Sequence, residues 1–186
     1  MDLIAILLTP IWLMLPALVP NSAAVIFGGG PPMDFGRSWR GNRLLGDGKT
    51  WRGFIGGALI GVLVGAIEIA VSDPLSEDHF GFGPTGTALA IVIALSVGSM
   101  SGDVLGAFVK RRLGLERGQK APFLDQYDFV AGALLFALVL DSGWIADNLI
   151  DDNAWVGLIF FLVLVYLIHR AVNIIGYKLG KKDVPW

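Results

Sequence analysis

Five apolar segments divide this chain, at about Leu3–Val19, Phe54–Val71, Thr85–Val109, Asp128–Ala146 and Ala154–Ile175. Each is close to the ~20 residues that a helix needs to cross a ~30 Å hydrocarbon core. Lipid offers no hydrogen bonds to the backbone, so segments of this kind are expected as helices. The expected fold is all-α, a polytopic membrane protein of about five transmembrane helices in one domain over residues 1–186. Only 16% of residues are charged, against about a quarter in a soluble domain. The first segment, interrupted by Pro10 and Pro16, has no basic region before it and no small-residue cleavage site after it, and reads as a retained helix. The fourth is the shortest: its uncharged part, Phe129 to Leu140, would reach only ~18 Å. To span, it must draw Asp128 toward one boundary and Asp141 toward the other.

The charges fix an orientation. All 14 Lys and Arg residues fall in three places. Arg37, Arg40, Arg43, Lys49 and Arg52 lie between the first two segments; Lys110, Arg111, Arg112, Arg117 and Lys120 lie between the third and fourth; Arg170, Lys178, Lys181 and Lys182 lie at or beyond the end of the fifth. The connections Ser72–Pro84 and Asp141–Asn153 carry acids and no Lys or Arg. The positive-inside rule then predicts an outside N-terminus and a cytoplasmic C-terminus. His79 falls outside, while His169 and Arg170 fall at the inner end of the fifth segment. Asp151 and Asp152 face the outside, away from any cytoplasmic site. Glu68, near the outer end of the second segment, is expected to snorkel or to make a structural hydrogen bond.

Glycine recurs every fourth residue in the second segment (Gly53, Gly57, Gly61, Gly65) and the third (Gly98, Gly102, Gly106). Such stripes let helices approach closely in lipid. Packing within the chain is the ordinary reading; a face for a homodimer is the other.

Two constellations are placed to carry chemistry. Asp103 and Lys110 are seven residues apart and share a helical face, with Arg111 beside Lys110. Asp125 and Asp128, three apart, share a face at the start of the fourth segment. Three carboxylates converging at a membrane boundary suit one or two hard cations with oxygen ligands. A salt-bridge network with the neighbouring Lys and Arg is the alternative, and acids at a helix N-terminus have a structural use of their own. The second constellation is the loop before the second segment. Phe27 to Pro32 reads as irregular, and Gly46-Asp47-Gly48-Lys49-Thr50 leads into a helix. This is no P-loop, because the glycine spacing is too short and no strand precedes it. A Gly-rich turn with Lys49 and Arg52 at a helix N-terminus nevertheless suits phosphate. Snorkelling of both cations to lipid headgroups competes with that reading. Zero cysteines exclude disulfides, thiolate metal sites and cysteine nucleophiles. No Ser-His-Asp arrangement is visible, and no nucleic-acid partner is expected.

The run Gly102-Asp103-Val104-Leu105-Gly106-Ala107-Phe108-Val109-Lys110-Arg111, followed by Lys120-Ala121-Pro122-Phe123-Leu124-Asp125-Gln126-Tyr127-Asp128, closely resembles the signature of archaeal CDP-archaeol synthases. These belong with the CDP-diacylglycerol synthases among membrane CTP-transferases. The resemblance extends to Pro20, Asn21, Ser22 and to Gly48–Gly53, and spans essentially the whole chain. Gln126 stands where bacterial and eukaryotic relatives have Arg, and their His-Gly-Gly is absent, which favours the archaeal branch. The acid of their Pro-Lys-Thr-x-Glu-Gly element is also absent, so its role does not carry over.

The resemblance implies a Mg²⁺-dependent membrane cytidylyltransferase, joining CTP to a phosphorylated archaeal ether lipid with release of pyrophosphate. On that reading Asp103, Asp125 and Asp128 hold metal, and Lys110, Arg111 and Lys120 bind phosphate, with Lys49, Thr50 and Arg52 on the substrate side. Asn21 and Ser22 then bond the cytidine or ribose. The lipid tails stay in the bilayer and the site opens sideways. Phosphatidate is the alternative acceptor, and an ion-coupled transporter the alternative class. Against the transporter, the acids cluster at one face rather than at the midplane between repeats.

Overall fold

The computed structural model describes residues 3–72, 81–116, 119–178 and 180. His79, Arg117, Lys181 and Lys182 lie outside the described residues. The elements are α1 (Leu3–Leu13), α2 (Leu15–Phe27), a two-stranded hairpin of β1 (Ser38–Trp39) and β2 (Asn42–Arg43), α3 (Trp51–Val71), α4 (Thr85–Arg112), α5 (Leu124–Leu140), α6 (Ser142–Leu149) and α7 (Ala154–Lys178). α3, α4 and α7 are each long and apolar enough to cross a membrane, and α1 with α2, bent by 41° at a short break, passes the same test together as either a broken span or a re-entrant loop. The chain is an all-α, multi-pass membrane protein.

Two boundaries differ from the sequence expectation. The first apolar run continues beyond Val19 to Phe27, with the bend at Met14. Pro16 falls in the first turn of α2, where a missing N–H costs no helical bond. Helix geometry therefore carries on through Asn21 and Ser22. It ends where Gly29 and Gly30 take φ of +94° and +78°, conformations that a side chain disfavours. The fourth run does not continue to Ala146. It breaks after Leu140, because the Asp141 side chain accepts the Trp144 N–H at 3.0 Å and caps a separate short helix, α6.

The glycine stripes pack inside the chain, as in the ordinary reading of such stripes. An added Cβ on Gly57 would stand 2.6 Å from the Pro20 carbonyl oxygen, and one on Gly61 2.5 Å from that of Pro16. The Pro16 carbonyl is the group left without an intrahelical donor by Pro20, which has no N–H. α3 thus rides on α2, and Gly65 meets Val92 of α4. Gly98 and Gly102 of α4 meet Gly132 and Asp128 of α5 with backbone nearly touching backbone. Ser96 donates to the Ala58 carbonyl at 2.8 Å and Ser99 to that of Ala17 at 2.7 Å, locking α4 to α3 and α2. Leu13, Met14, Ile91, Leu95, Val130 and Phe161 fill the centre of the bundle. Glu68 does not snorkel: it is 4% exposed, and neither carboxylate oxygen has a partner among the described residues.

Candidate active site

The loop between α2 and α3 is folded around one carboxylate. Asp34 accepts from Arg43 Nη2 at 2.8 Å and Nε at 3.2 Å, and from the backbone N–H groups of Gly36, Leu45 and Gly46, each at 3.0 Å. The Arg43 guanidinium, helped by these backbone donors, holds the Asp34 carboxyl well below the usual carboxylate range despite its burial. Arg43 also pairs with Asp47 at 2.9 Å. The hairpin is tied to α4 by Arg112, which donates to the carbonyls of Trp39, Asn42 and Arg43 and lies against the rings of Trp39 and Phe108. The loop closes where the Met33 N–H meets the Lys49 carbonyl at 2.7 Å. These contacts fix the Gly46–Thr50 turn over the bundle.

That turn delivers Lys49 to Asp103. The ammonium sits 2.7 and 2.6 Å from the two carboxylate oxygens, joining positions 54 residues apart. A cavity of about 460 Å³ opens here, walled by Asn21 and Val25 of α2, Gly29, Lys49, Thr50 and Asp103, a size that suits a small-molecule ligand. Thr50 caps α3 by accepting the Gly53 N–H at 3.1 Å, so the cavity meets the positive end of a 21-residue helix. The Asn21 Oδ1 is buried with no partner among the described residues, an unused hydrogen-bonding group in the wall. Val25 lines the cavity while 83% exposed, so the cavity reaches the lipid-facing side of the bundle.

A second cluster adjoins it. Lys110 lies 2.9 Å from Asp125 and 3.9 Å from Asp128. Asp125 also accepts the Ala121 N–H at 2.8 Å, and Asp128 accepts the Phe129 N–H at 2.7 Å. The absence of side chains at Gly102 and Gly106 makes room for Asp128, since a Cβ on Gly106 would overlap its carboxylate. Asp103 and Lys110, one from each cluster, both lie on α4, and Asp128 packs against Gly102 and Gly106 of that helix.

Not every residue expected at the site reaches this cavity. Ser22 is exposed, one step round the helix from Asn21. Arg111 donates to the Leu115 carbonyl beneath Gly46 and does not line the cavity. Lys120 is exposed and also stands off the lining. Arg52 is turned to the other side of the α3 N-terminus, against Gly30. Sequence reasoning passed over Asp34 as a site element and left Asp47, which lines the cavity, without a role. Asp34 two residues before Gly36 carries an Asx-turn signal, but its bonds to Arg43 and Leu45 follow no periodicity.

The three carboxylates do not converge as a single metal-binding set: among the described residues no group of three His, Cys, Asp or Glu side chains is placed to hold an ion. Lys49 and Lys110 stand between them instead. The donor set still fits Mg²⁺ in the manner usual for phosphate chemistry, in which one or two carboxylates hold the ion and substrate oxygens complete its shell.

Comparison with known proteins gives this geometry its context. The family model described as CarS-like, CDP-archaeol synthase, matches residues 3–186. The CDP-archaeol synthase of Methanosphaerula palustris is 53% identical over 175 residues, covering 93% of this chain and 100% of the relative. That of Pyrococcus horikoshii is 42% identical over 181 residues, with 97% of each chain covered. A solved structure of an intramembrane enzyme for archaeal membrane lipid biosynthesis superposes with a TM-score of 0.70 at 35% identity, covering 90% of this chain and 94% of that one. The family model spans nearly the whole chain and these relatives are well above 30% identical over it, so the chain belongs to the CarS-like CDP-archaeol synthase family.

Proposed function

We propose that this chain is a membrane cytidylyltransferase that joins CTP to 2,3-bis-O-geranylgeranyl-sn-glycerol 1-phosphate, giving the CDP-lipid and pyrophosphate. The observation that carries the reading is the cavity holding Asn21, Lys49, Thr50 and Asp103 at the N-terminus of α3. It combines a cation, a helix N-terminus and an unused amide oxygen, which together match a nucleoside triphosphate. Family membership supports the same chemistry.

The acceptor is already an oxyanion, so attack on the α-phosphorus of CTP needs no strong general base. The phosphate oxygen forms the new P–O bond, the bond to the bridging oxygen breaks, and pyrophosphate leaves with the electron pair. The protein must hold two polyanions together and neutralise them. Lys49 neutralises triphosphate charge on leaving Asp103. Lys110 holds Asp125 and Asp128 in register behind it. Asn21 accepts a nucleoside N–H or hydroxyl. Mg²⁺, which one or two of Asp103, Asp125 and Asp128 would hold with substrate oxygens completing its shell, would supply charge neutralisation between nucleotide and lipid phosphates. On this reading the chain has five spans, with α5 crossing between Asp128 and Asp141, and the positive-inside pattern supports a cytoplasmic site. The test is detergent-purified protein with labelled CTP, Mg²⁺ and either the geranylgeranyl ether phosphate or phosphatidic acid. Label entering the ether lipid, and lost with EDTA, is expected. Label mainly in phosphatidic acid would move the acceptor, and none in either lipid would overturn the reading.

A further inference from the structure

Arg52 belongs to a second hollow, separate from the nucleotide-sized cavity. A groove of about 460 Å³ runs down the outer face of α3, lined by Phe27, Trp51, Arg52, Ile55, Leu59 and Ile60. From Arg52 to Ile60 it extends ~12 Å along the helix. Its side walls are apolar and exposed, with Ile55 at 52% and Leu59 at 64%. Phe27 forms its far wall by lying on Gly56, where a Cβ would stand 2.6 Å from the ring. Arg52 lines the groove at the end nearest the α3 N-terminus, and its side chain has no hydrogen bond or ion pair among the described residues.

What separates groove from cavity is glycine backbone. Gly28 and Gly29 line the cavity, and the next residue, Gly30, lies against the Arg52 side chain, with a Cβ there 3.2 Å from Cδ. No side chain intervenes on this strip. A molecule lying in the groove with its polar end beside Arg52 would therefore be separated from the cavity by the Gly28–Gly30 strip.

We propose that this groove seats one hydrocarbon chain of the phosphorylated lipid acceptor, with Arg52 binding its phosphate before and during transfer. The assignment rests on the cytidylyltransferase reading and specifies where its second substrate lies. Charge complementarity selects the occupant: an apolar trough with the cationic Arg52 side chain at one end, without an ion-pair partner among the described residues, matches a lipid that carries a phosphate monoester. A zwitterionic bulk lipid gains less from that cation.

The test uses the full chain in detergent, with two acceptors: the geranylgeranyl ether phosphate and a short-chain dialkyl glycerol phosphate that ends before Leu59. Arg52→Gln removes the cation while keeping a polar side chain, and Leu59→Trp fills the trough at a lipid-facing position. Arg52→Gln is expected to raise the apparent KM for both acceptors about tenfold, the size of one charged hydrogen bond, leaving the KM for CTP unchanged. Leu59→Trp is expected to raise the KM about fivefold for the long acceptor alone. Unmoved acceptor KM values in both variants would overturn the groove and leave it to bulk lipid. Equal effects of Leu59→Trp on long and short acceptors would do the same, by pointing to general distortion of α3. Failure of the wild-type protein to label any lipid would instead sink the underlying activity, so the two failures are distinguishable.

Discussion

The two lysine–carboxylate clusters share chemistry and differ in how the chain makes them. Lys110 reaches Asp125 across 15 residues, from the end of one helix to the start of the next, and a short connection suffices to bring them together. Lys49 reaches Asp103 across 54 residues, from the loop before α3 that Asp34 organises and Arg112 ties to α4. The first pair is a local consequence of sequence and braces the bundle. The second is a tertiary product and closes the cavity. One pair thus joins two helices, and the other joins a loop to a helix, so on the proposed mechanism release of Lys49 from Asp103 would disturb no helix packing.

The largest effect that separates the clusters is expected at Asp103. Asp103→Asn should lower turnover at least about a thousandfold, since it strips charge from the cavity wall while leaving an isosteric side chain. Size-exclusion profile and Tm should stay near wild type; an active variant would remove Asp103 from the mechanism. Lys110→Met should behave differently, because it leaves Asp125 and Asp128 without their cation and lowers stability by about 3 kcal/mol as well as activity. A Tm equal to that of wild type would make the contrast between brace and exchangeable pair untenable. Asn21→Ala should come next, raising the KM for CTP about tenfold with little change in the acceptor KM. An effect confined to the acceptor would place Asn21 on the wrong substrate.

The pH dependence of stability sharpens the loop side of the comparison. Asp34 titrates lower folded than unfolded, so it stabilises the protein at pH values above the ordinary carboxylate pKa of about 3.9. That contribution is lost as pH falls through the folded value. Asp34→Asn should therefore lower Tm at neutral pH and narrow the difference in Tm between pH 7 and pH 3. A variant with the wild-type pH difference would show that Asp34 does not organise the loop. Smallest of all, Ser22→Ala should leave both KM values within about twofold, as expected for an exposed side chain. A large rise in the CTP KM would return Ser22 to the site.

The differences between sequence and structure have identifiable physical causes. Apolar length announced α3, α4 and α7 directly. The first apolar run, bounded at Val19 and interrupted by Pro10 and Pro16 in sequence, continues as helix to Phe27 because Pro16 falls in a first turn and the carbonyl left over by Pro20 sits against Gly61. Asp141 was read as a boundary charge and is a helix cap as well. Asp103, Lys110, Asp125 and Asp128 stood out because charge is costly beside apolar helices. Lys49 and Arg52 lie three apart at a helix start, and composition gave no reason to send one to the cavity and the other to the groove. The start of α3 decides it: Thr50 caps the helix, so Lys49 lies just outside it and turns inward, while Arg52 lies on its outer face.

By itself the sequence determined the membrane-spanning architecture, the alternation of charge and the position of the acidic and basic groups at one end of the bundle. These follow from hydrocarbon transfer and backbone hydrogen bonding, which depend on residue type over windows of ~20 positions. Tertiary structure alone decided that the glycine stripes face inward, that Lys49 meets Asp103, that Asn21 and not Ser22 faces the cavity, and that Arg52 heads a groove of its own. Each of these depends on which face of a helix meets which neighbour, and a few ångströms of packing set that choice.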